Sequence, residues 1–312
     1  MSSQKPAIDA PQPAAPSGII TNSLLGIMGR YGNSVFQYMF LKTYAAAHGL
    51  QVECPPWIGN YLFGTKDPPI SRELPVVEDP GDRLIPTSQE VFRNCDFRGY
   101  FQYHTSYYAP HRDLIRGLFQ PAPEVRALVE AGWQRIARQG RTVVGLHLRR
   151  DDFGQGIYYI TPSSWYLRWL EVIWPTLADP ILFVACDEPA KVLRDFRAYR
   201  PQSAREMQVE LPKAPYYPDF YALTQCDVLA IPNSTFSFTA AMLNRRLQKS
   251  VRSSLPLESF VEFDPWNDDP LHRQFCVEDF PHLRETANTR WGRCARLIKR
   301  LGQKIAGRIR KT

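Results

Sequence analysis

Three short, nearly unbroken apolar runs constrain this chain more than any other feature: TVVGLHL at 142–148, PILFVAC at 180–186 and DVLAI at 227–231. Runs of this length with no polar alternation suit strands buried on both faces, as in a parallel sheet covered by helices. Each run is followed by a segment of helical spacing: Trp165 to Leu177, EPAKVLRDF at 188–196 and STFSFTAAMLNRR at 234–246. An amphipathic helix over 124–139 precedes the first run. This alternation predicts a parallel α/β domain over about 141–262.

The chemistry-bearing residues gather where those strands end. His147, Arg149, Arg150 and Asp152 follow the first run, Asp187 the second, and Asn233, Ser234, Thr235, Phe236 and Ser237 the third, at a helix start. Open α/β sheets bind ligands outside the carboxyl ends of their strands. Two adjacent guanidiniums call for an anion, and a helix start offers free N–H groups and the positive end of a dipole. A phosphate or diphosphate meets all of these conditions, and the absence of GxxxxGK[ST] excludes a P-loop. Singly, each feature has a plainer reading. The arginines could pair with Asp151 and Asp152, NST could be an ordinary cap, and His147 a core imidazole.

Upstream, MSSQKPAIDAPQPAAPSG is a Pro/Ala-rich segment without the apolar run of a signal peptide, so 1–18 is expected to be a disordered leader. A strand or turn should follow, then the GRYGN loop at 29–33, a helix from Val35 capped by Gly49, and a strand in LQVEC. The Pro-, Gly- and aromatic-rich stretch 58–121 has no clear periodicity.

Composition narrows the function classes. No run approaches the roughly 20 apolar residues of a membrane span. Six cysteines include no CxxC pair and the six histidines show no ligand spacing, so neither a metal nor a cofactor is required. A reducing cytoplasm is the expected compartment. The net charge of +7 comes from the end of the chain. Nine Lys/Arg and no acid lie from Arg290 onward, and without them 29 basic residues face 31 acidic ones. A nucleic-acid groove is therefore not expected. In that tail Trp291, Cys294, Ile298, Leu301, Ile305 and Ile309 recur at helical spacing among basic residues. The pattern reads as an interfacial helix for an anionic membrane surface. Gly302 and Gly307 suit a docked surface helix or a disordered end instead.

Five segments in order resemble the α-1,2-fucosyltransferases of glycosyltransferase family 11, within the wider α-1,2, α-1,6 and protein O-fucosyltransferase group. They are GRYGNSVFQY at 29–38, GYFQYHTSYY at 99–108, HLRRDDF at 147–153, CDVLAIPNSTFSFTAAML at 226–243 and FDPWNDDP at 263–270. The resemblance implies a GT-B-like α/β fold, two Rossmann-like halves across a cleft. The acceptor-side half would span 19–140, the donor-binding half 141–285 and the tail 286–312. It implies inverting transfer of fucose from GDP-fucose to a galactose-type acceptor, through an α-1,2 linkage and without a metal. Arg149 would bind the β-phosphate, with His147 and Asp152 completing the catalytic set and Arg150 orienting the donor or holding the strand end. Asp227 would face the guanine, and Asn233, Ser234, Thr235, Phe236 and Ser237 the diphosphate. Arg30 and Asn33 would reach over from the other half. Asp151 stands where the family usually has Gly, and Phe153 where Tyr is frequent. Another linkage or GDP-sugar, and an inactive nucleotide- or glycan-binding protein, are the competing readings.

Overall fold

The computed structural model of the chain describes residues 17–79 and 90–284. The expected leader lies outside them except for Ser17 and Gly18, and so does the whole basic tail. Two parallel sheets follow one another along the chain. The first contains β1 (Ile19–Thr21), β2 (Gln51–Glu53), β3 (Val76–Glu78) and β4 (Cys95–Arg98) in the order β2-β1-β4-β3. Helix α1 (Tyr31–His48) crosses from β1 to β2 and is buried along most of its length. It ends at Gly49, whose φ of 62° suits a residue without Cβ and lets its N–H reach the Ala45 carbonyl.

The sequence pattern places the start of α1 at Val35, but the helix begins four residues earlier. Arg30 is the extended N-cap, and its carbonyl already accepts the N–H groups of Asn33 (2.9 Å) and Ser34 (3.1 Å). GRYGN is thus half loop and half helix. The unassigned stretch 58–121 resolves into α2 (Ile58–Leu62), β3, β4 and α3 (Arg112–Leu118). Helix α4 (Pro123–Ala137) then leads into the second sheet.

That sheet holds β5 (Thr142–Leu148), β6 (Pro180–Cys186), β7 (Val228–Ile231), β8 (Lys249–Ser254) and β9 (Ser259–Glu262), ordered β6-β5-β7-β8-β9. The four strands β5 to β8 are mutually parallel, and β9 closes the edge antiparallel to β8. The covering helices are α5 (Ser163–Ile173), α6 (Pro189–Val192), α7 (Ala204–Met207), α8 (Tyr217–Leu223) and α9 (Thr235–Leu243). Two are shorter than expected. Pro175 cannot continue an α-helix, so α5 passes into a single 3-10 turn. EPAKVLRDF closes only one helical turn, because Asp195 and Phe196 bond three residues back and the chain tightens into turns that bury Phe196.

One buried apolar cluster extends from Ile20 on β1 to Trp266, taking in α1, α8, α9 and one face of the second sheet. A smaller cluster fills the opposite face around Leu146, Tyr166, Leu182 and Phe196. The five described cysteines are free thiols. Among the described residues no helix is long and apolar enough to cross a membrane.

Candidate active site

From β5 the chain moves to β6 on one side, while β7 lies on the other. That reversal opens a crevice between the carboxyl ends of β5 and β7. Helix α9 starts there, and α1 starts at the corresponding end of β1 in the first sheet. The two helix starts touch. A Cβ on Gly32 would lie 2.6 Å from the Phe236 nitrogen and 2.7 Å from the Thr235 carbonyl carbon, so only glycine permits the approach. A chain of polar contacts crosses the same seam. Thr235 Oγ1 (3.1 Å) and Gln102 Nε2 (2.7 Å) both donate to Asn33 Oδ1, and Arg273 Nη2 donates to Gln102 Oε1 at 2.5 Å.

His147, buried at the end of β5, lies 2.8 Å from Ser237 Oγ through Nδ1 and spans the crevice to α9. Burial pulls its pKa down to about 4; the Asp187 carboxylate opposes this and Arg150 reinforces it. The imidazole is therefore neutral at physiological pH and serves as a hydrogen-bonding strut. Arg149 follows two residues later, its side chain only 19% exposed. Nη1 lies 3.2 Å from Asp187, Nε donates to Asp152 Oδ1 at 3.0 Å, and Nη2 sits 2.8 Å from the same oxygen. Nη2 is buried and makes no hydrogen bond, which leaves both of its N–H groups unspent. Asp187 also accepts the backbone N–H groups of Arg150 and Asp151, each at 3.0 Å, so it fixes the loop that carries Arg149. From the first sheet's side, Arg30 Nη2 reaches Asp152 (3.3 Å) and Asp151 (3.7 Å).

The carboxylates of Asp151, Asp152 and Asp187 converge, one oxygen of each lying within 4.8 Å of the other two. Arg30, Arg149 and two backbone N–H groups already meet their charge. The fold is that of solved fucosyltransferases. NodZ α-1,6-fucosyltransferase soaked with GDP-fucose superposes with a TM-score of 0.52 at 15% identity, covering 80% of this chain and 99% of that one. Fucosyltransferase NodZ from Bradyrhizobium gives 0.52 at 14%, with the same coverage. A mutant of Arabidopsis thaliana FUT1 in complex with GDP gives 0.50 at 12%, covering 82% and 75%. No protein-family model and no curated protein matches the chain. At these identities the likeness is one of fold: an α/β, GT-B-like arrangement of parallel sheets.

Within this fucosyltransferase-like fold, several residues singled out in the sequence take different places from those expected. Of the two roles expected for Arg150, orienting the donor or holding the strand end, its contacts serve the second. Its guanidinium donates to the carbonyls of Thr161 (3.0 Å) and Arg149 (3.2 Å) and to Ser163 Oγ (3.3 Å), which staples the strand end to the start of α5. Asp227 is a correction. It precedes β7, so it lies at the opposite edge of the sheet from the crevice, where it accepts the Val143 N–H (2.8 Å) and pairs with Arg246 (3.2 Å). Arg246 lines a cavity of about 250 Å³ at the far ends of α8 and α9, with Arg116, Arg126 and Tyr221.

Asn233 stands at the crevice, but its amide is fully committed inward. Nδ2 donates to the Ile157 and His272 carbonyls, and Oδ1 accepts from Arg252 Nη2 (3.0 Å) and the His272 N–H (2.9 Å). Ser234 is the N-cap of α9, yet its hydroxyl does not cap the helix. That leaves first-turn N–H groups of α9 without intrahelical partners, facing Arg149 across the crevice. Phe236 packs among His147, Tyr31, Tyr216 and Phe220 and fixes the helix start.

One acid, Asp219, and one basic residue, Arg252, escape the sequence reading of the site, and the partner of a third group does too. Asp187 is visible as a strand end, although its hold on Arg149 is not. Asp219 lies in the first turn of α8; burial, then the nearby Asp187 carboxylate, push its pKa up to about 7. Arg252, 1% exposed on β8, holds Asn233 and the Asp269 carbonyl.

Proposed function

We propose that the chain is an inverting glycosyltransferase that moves L-fucose from GDP-β-L-fucose to a sugar hydroxyl. Arg149 carries this reading: a forked guanidinium held by Asp152 and Asp187 at a switch-point crevice whose facing wall is a helix N-terminus. Displacement at the anomeric carbon places charge on the departing diphosphate while the sugar takes on oxocarbenium character. Donors fixed in advance at that diphosphate stabilise the transition state more than the ground state. Arg149 and backbone N–H groups in the Ser234–Ser237 first turn of α9 supply those donors, the Thr235 and Ser237 hydroxyls being committed to Asn33 and His147; neutral His147 keeps strand and helix in register. Asp152, shared between Arg30 and Arg149, acts by positioning the guanidinium. Arg30 and Asn33 bring the first sheet's half to the donor. The solved structures with GDP-fucose and GDP bound share the fold and support this donor.

We assign 19–140 to the acceptor-side half and 141–285 to the donor half. The guanine role moves from Asp227 to Asp219, in the first turn of α8 near Asp187, whose carboxylate can accept the paired N1–H and N2 amino donors of guanine. Counter-charge comes from guanidiniums and a helix terminus, so no metal is invoked. Galactose-type acceptance through an α-1,2 linkage is the finer reading, supported by the five ordered segments. The likeness to an α-1,6-fucosyltransferase favours a second reading in which only the linkage differs. Incubation with GDP-fucose and lactose in EDTA, with GDP release followed and the product linkage read by NMR, separates the two. Failure to bind GDP at all would sink both.

A further inference from the structure

Tyr100 and Tyr158 stand on the two facing lips of the cleft. Tyr100 follows the carboxyl end of β4, and Tyr158 belongs to the loop after β5. Their side chains are 39% and 42% exposed. Ile27, on the loop between β1 and α1, adds a third apolar group on the same lip as Tyr100, at 74% exposure. Exposed aromatics gathered at one mouth are unusual unless something binds there.

Each tyrosine is held outward by its neighbour. Phe101 is fully buried, stacked on Phe40 at 4.1 Å and 7°, and adopts a left-handed φ of 50°. Tyr108 Oη donates to the Phe101 carbonyl at 2.5 Å and secures that strained turn. With Phe101 pointing into the core, Tyr100 and Gln102 are left at the cleft. Tyr158 repeats the device. Tyr159 is buried with its hydroxyl donating to the Ser253 carbonyl (2.8 Å), and the Tyr158 backbone is locked by paired bonds with Gly154 and Gln155. The Tyr158 ring also leans on Phe153 at 5.5 Å. Two exposed rings, one from each lip, are therefore carried on backbone that is fixed before any ligand arrives.

The groups around them are polar. Asn233 donates to both the Ile157 and His272 carbonyls and so holds Tyr158 and Arg273 in neighbouring segments; burial raises the Tyr158 hydroxyl pKa, the nearby Arg273 guanidinium lowers it, and Tyr100 and Asp152 raise it. Arg273 is in turn tied to Gln102 and through it to Asn33. Flat aromatic faces with hydrogen-bonding groups at their edges match the chemistry of a pyranose, which has an apolar C–H face and a rim of hydroxyls.

We propose that Tyr100 and Tyr158 form the acceptor platform, stacking on the C–H face of a sugar ring while Gln102 and Arg273 bind its hydroxyls beside Asp152. This inference rests on the glycosyltransferase reading and names the acceptor subsite that reading leaves open. Its ligand class is a neutral pyranoside. The test is saturation-transfer NMR with the full chain at saturating GDP, using lactose, cellobiose and chitobiose as probes. At least one disaccharide should receive saturation at ring C–H protons. Tyr100→Ala and Tyr158→Ala should each weaken that binding roughly three- to tenfold, whereas Tyr100→Phe and Tyr158→Phe should retain it. GDP affinity by calorimetry should stay level across all four variants. Absence of ring saturation in the wild type for all three sugars, or equal binding by both alanine variants, overturns the platform while GDP binding keeps the donor site. Loss of GDP binding in the wild type overturns the donor reading and the platform with it.

Discussion

Gly32 in the first turn of α1 presses directly on the backbone of Phe236 at the start of α9, with only 2.6 Å between its would-be Cβ and the Phe236 nitrogen. The obstructing atoms are backbone, so no side-chain rotation relieves a clash. Gly32→Ala should prise the two helix starts apart. It should cost about 1–3 kcal/mol of stability, as overpacking commonly does. It should also weaken GDP binding by more than the stability loss explains, since the first turn of α9 moves with the seam. Calorimetric Kd beside the melting temperature distinguishes the outcomes, and unchanged GDP affinity would remove the seam from the donor site.

Arg149 meets Asp152 and Asp187 through three nitrogens in one plane. Arg149→Ala should lower kcat on the order of 10²–10³-fold, the usual loss when one donor to a developing negative charge is removed. Arg149→Lys keeps the charge but cannot serve both carboxylates, so it should recover only a small part of the rate. Steady-state kinetics with saturating acceptor is the measurement. Wild-type turnover in either variant would sink the assignment of Arg149.

His147 carries a pKa pulled down to about 4 from 6.5. Below 6.5 the unfolded chain binds a proton that the folded protein refuses until about pH 4. Stability from this group is therefore complete above pH 6.5 and is lost as pH falls toward 4. Asp219, with a pKa raised from 3.8 to about 7, titrates over much of the same window with the opposite sign. The His147 contribution is thus read as the difference between wild type and His147→Gln in denaturant titrations at pH 4.5 and 7.5. The wild type should lose a few kcal/mol more than the variant on acidification. Parallel losses would mean that the imidazole is not buried neutral.

The legible parts of this fold are those where burial writes a pattern. β5, β6 and β7 are apolar on both faces, and their sequence runs match their extents to within a residue or two. Arg149 and Asp187 were visible because charge after a buried strand needs a partner. Other features lack such a signature. β3 has three residues and little burial, too few to show a period. The start of α1 depends on Arg30 adopting an extended N-cap conformation, and arginine is not a capping residue by type. Asp227 is expected at the site only through its place in a motif. An acid before a strand and an acid after it differ only in which sheet edge they occupy, and here Asp227 precedes β7. Asp219 sits in YPDFYAL with no charged neighbour to flag it, and comes near Asp187 only through the fold, at the start of α8. Arg252 reads in KSVRSS as one charge on an ordinary strand; its burial follows from Asn233 and the Asp269 carbonyl, both remote or irregular in sequence.

Asp219 gives the sharpest pH test of the donor site. Its pKa of about 7 leaves the carboxyl half protonated near neutrality. The N1–H and N2 amino groups of guanine are donors, which bind a carboxylate and not the O–H of the acid. GDP-fucose affinity should therefore improve as pH rises through 7 and fall about tenfold per unit well below it. GDP-fucose is the right probe because its diphosphate carries no ionisation in that range. Asp219→Asn should bind more weakly at pH 8 and show a flat profile from 5.5 to 8.5, since an amide has no proton to lose. It should also narrow the preference for GDP over ADP, as the carboxylate is the group that distinguishes guanine's donor edge from adenine's. Calorimetric titrations across that range decide the matter. A sloping profile that survives in Asp219→Asn would place the titrating group elsewhere and return the purine contact to an unassigned residue.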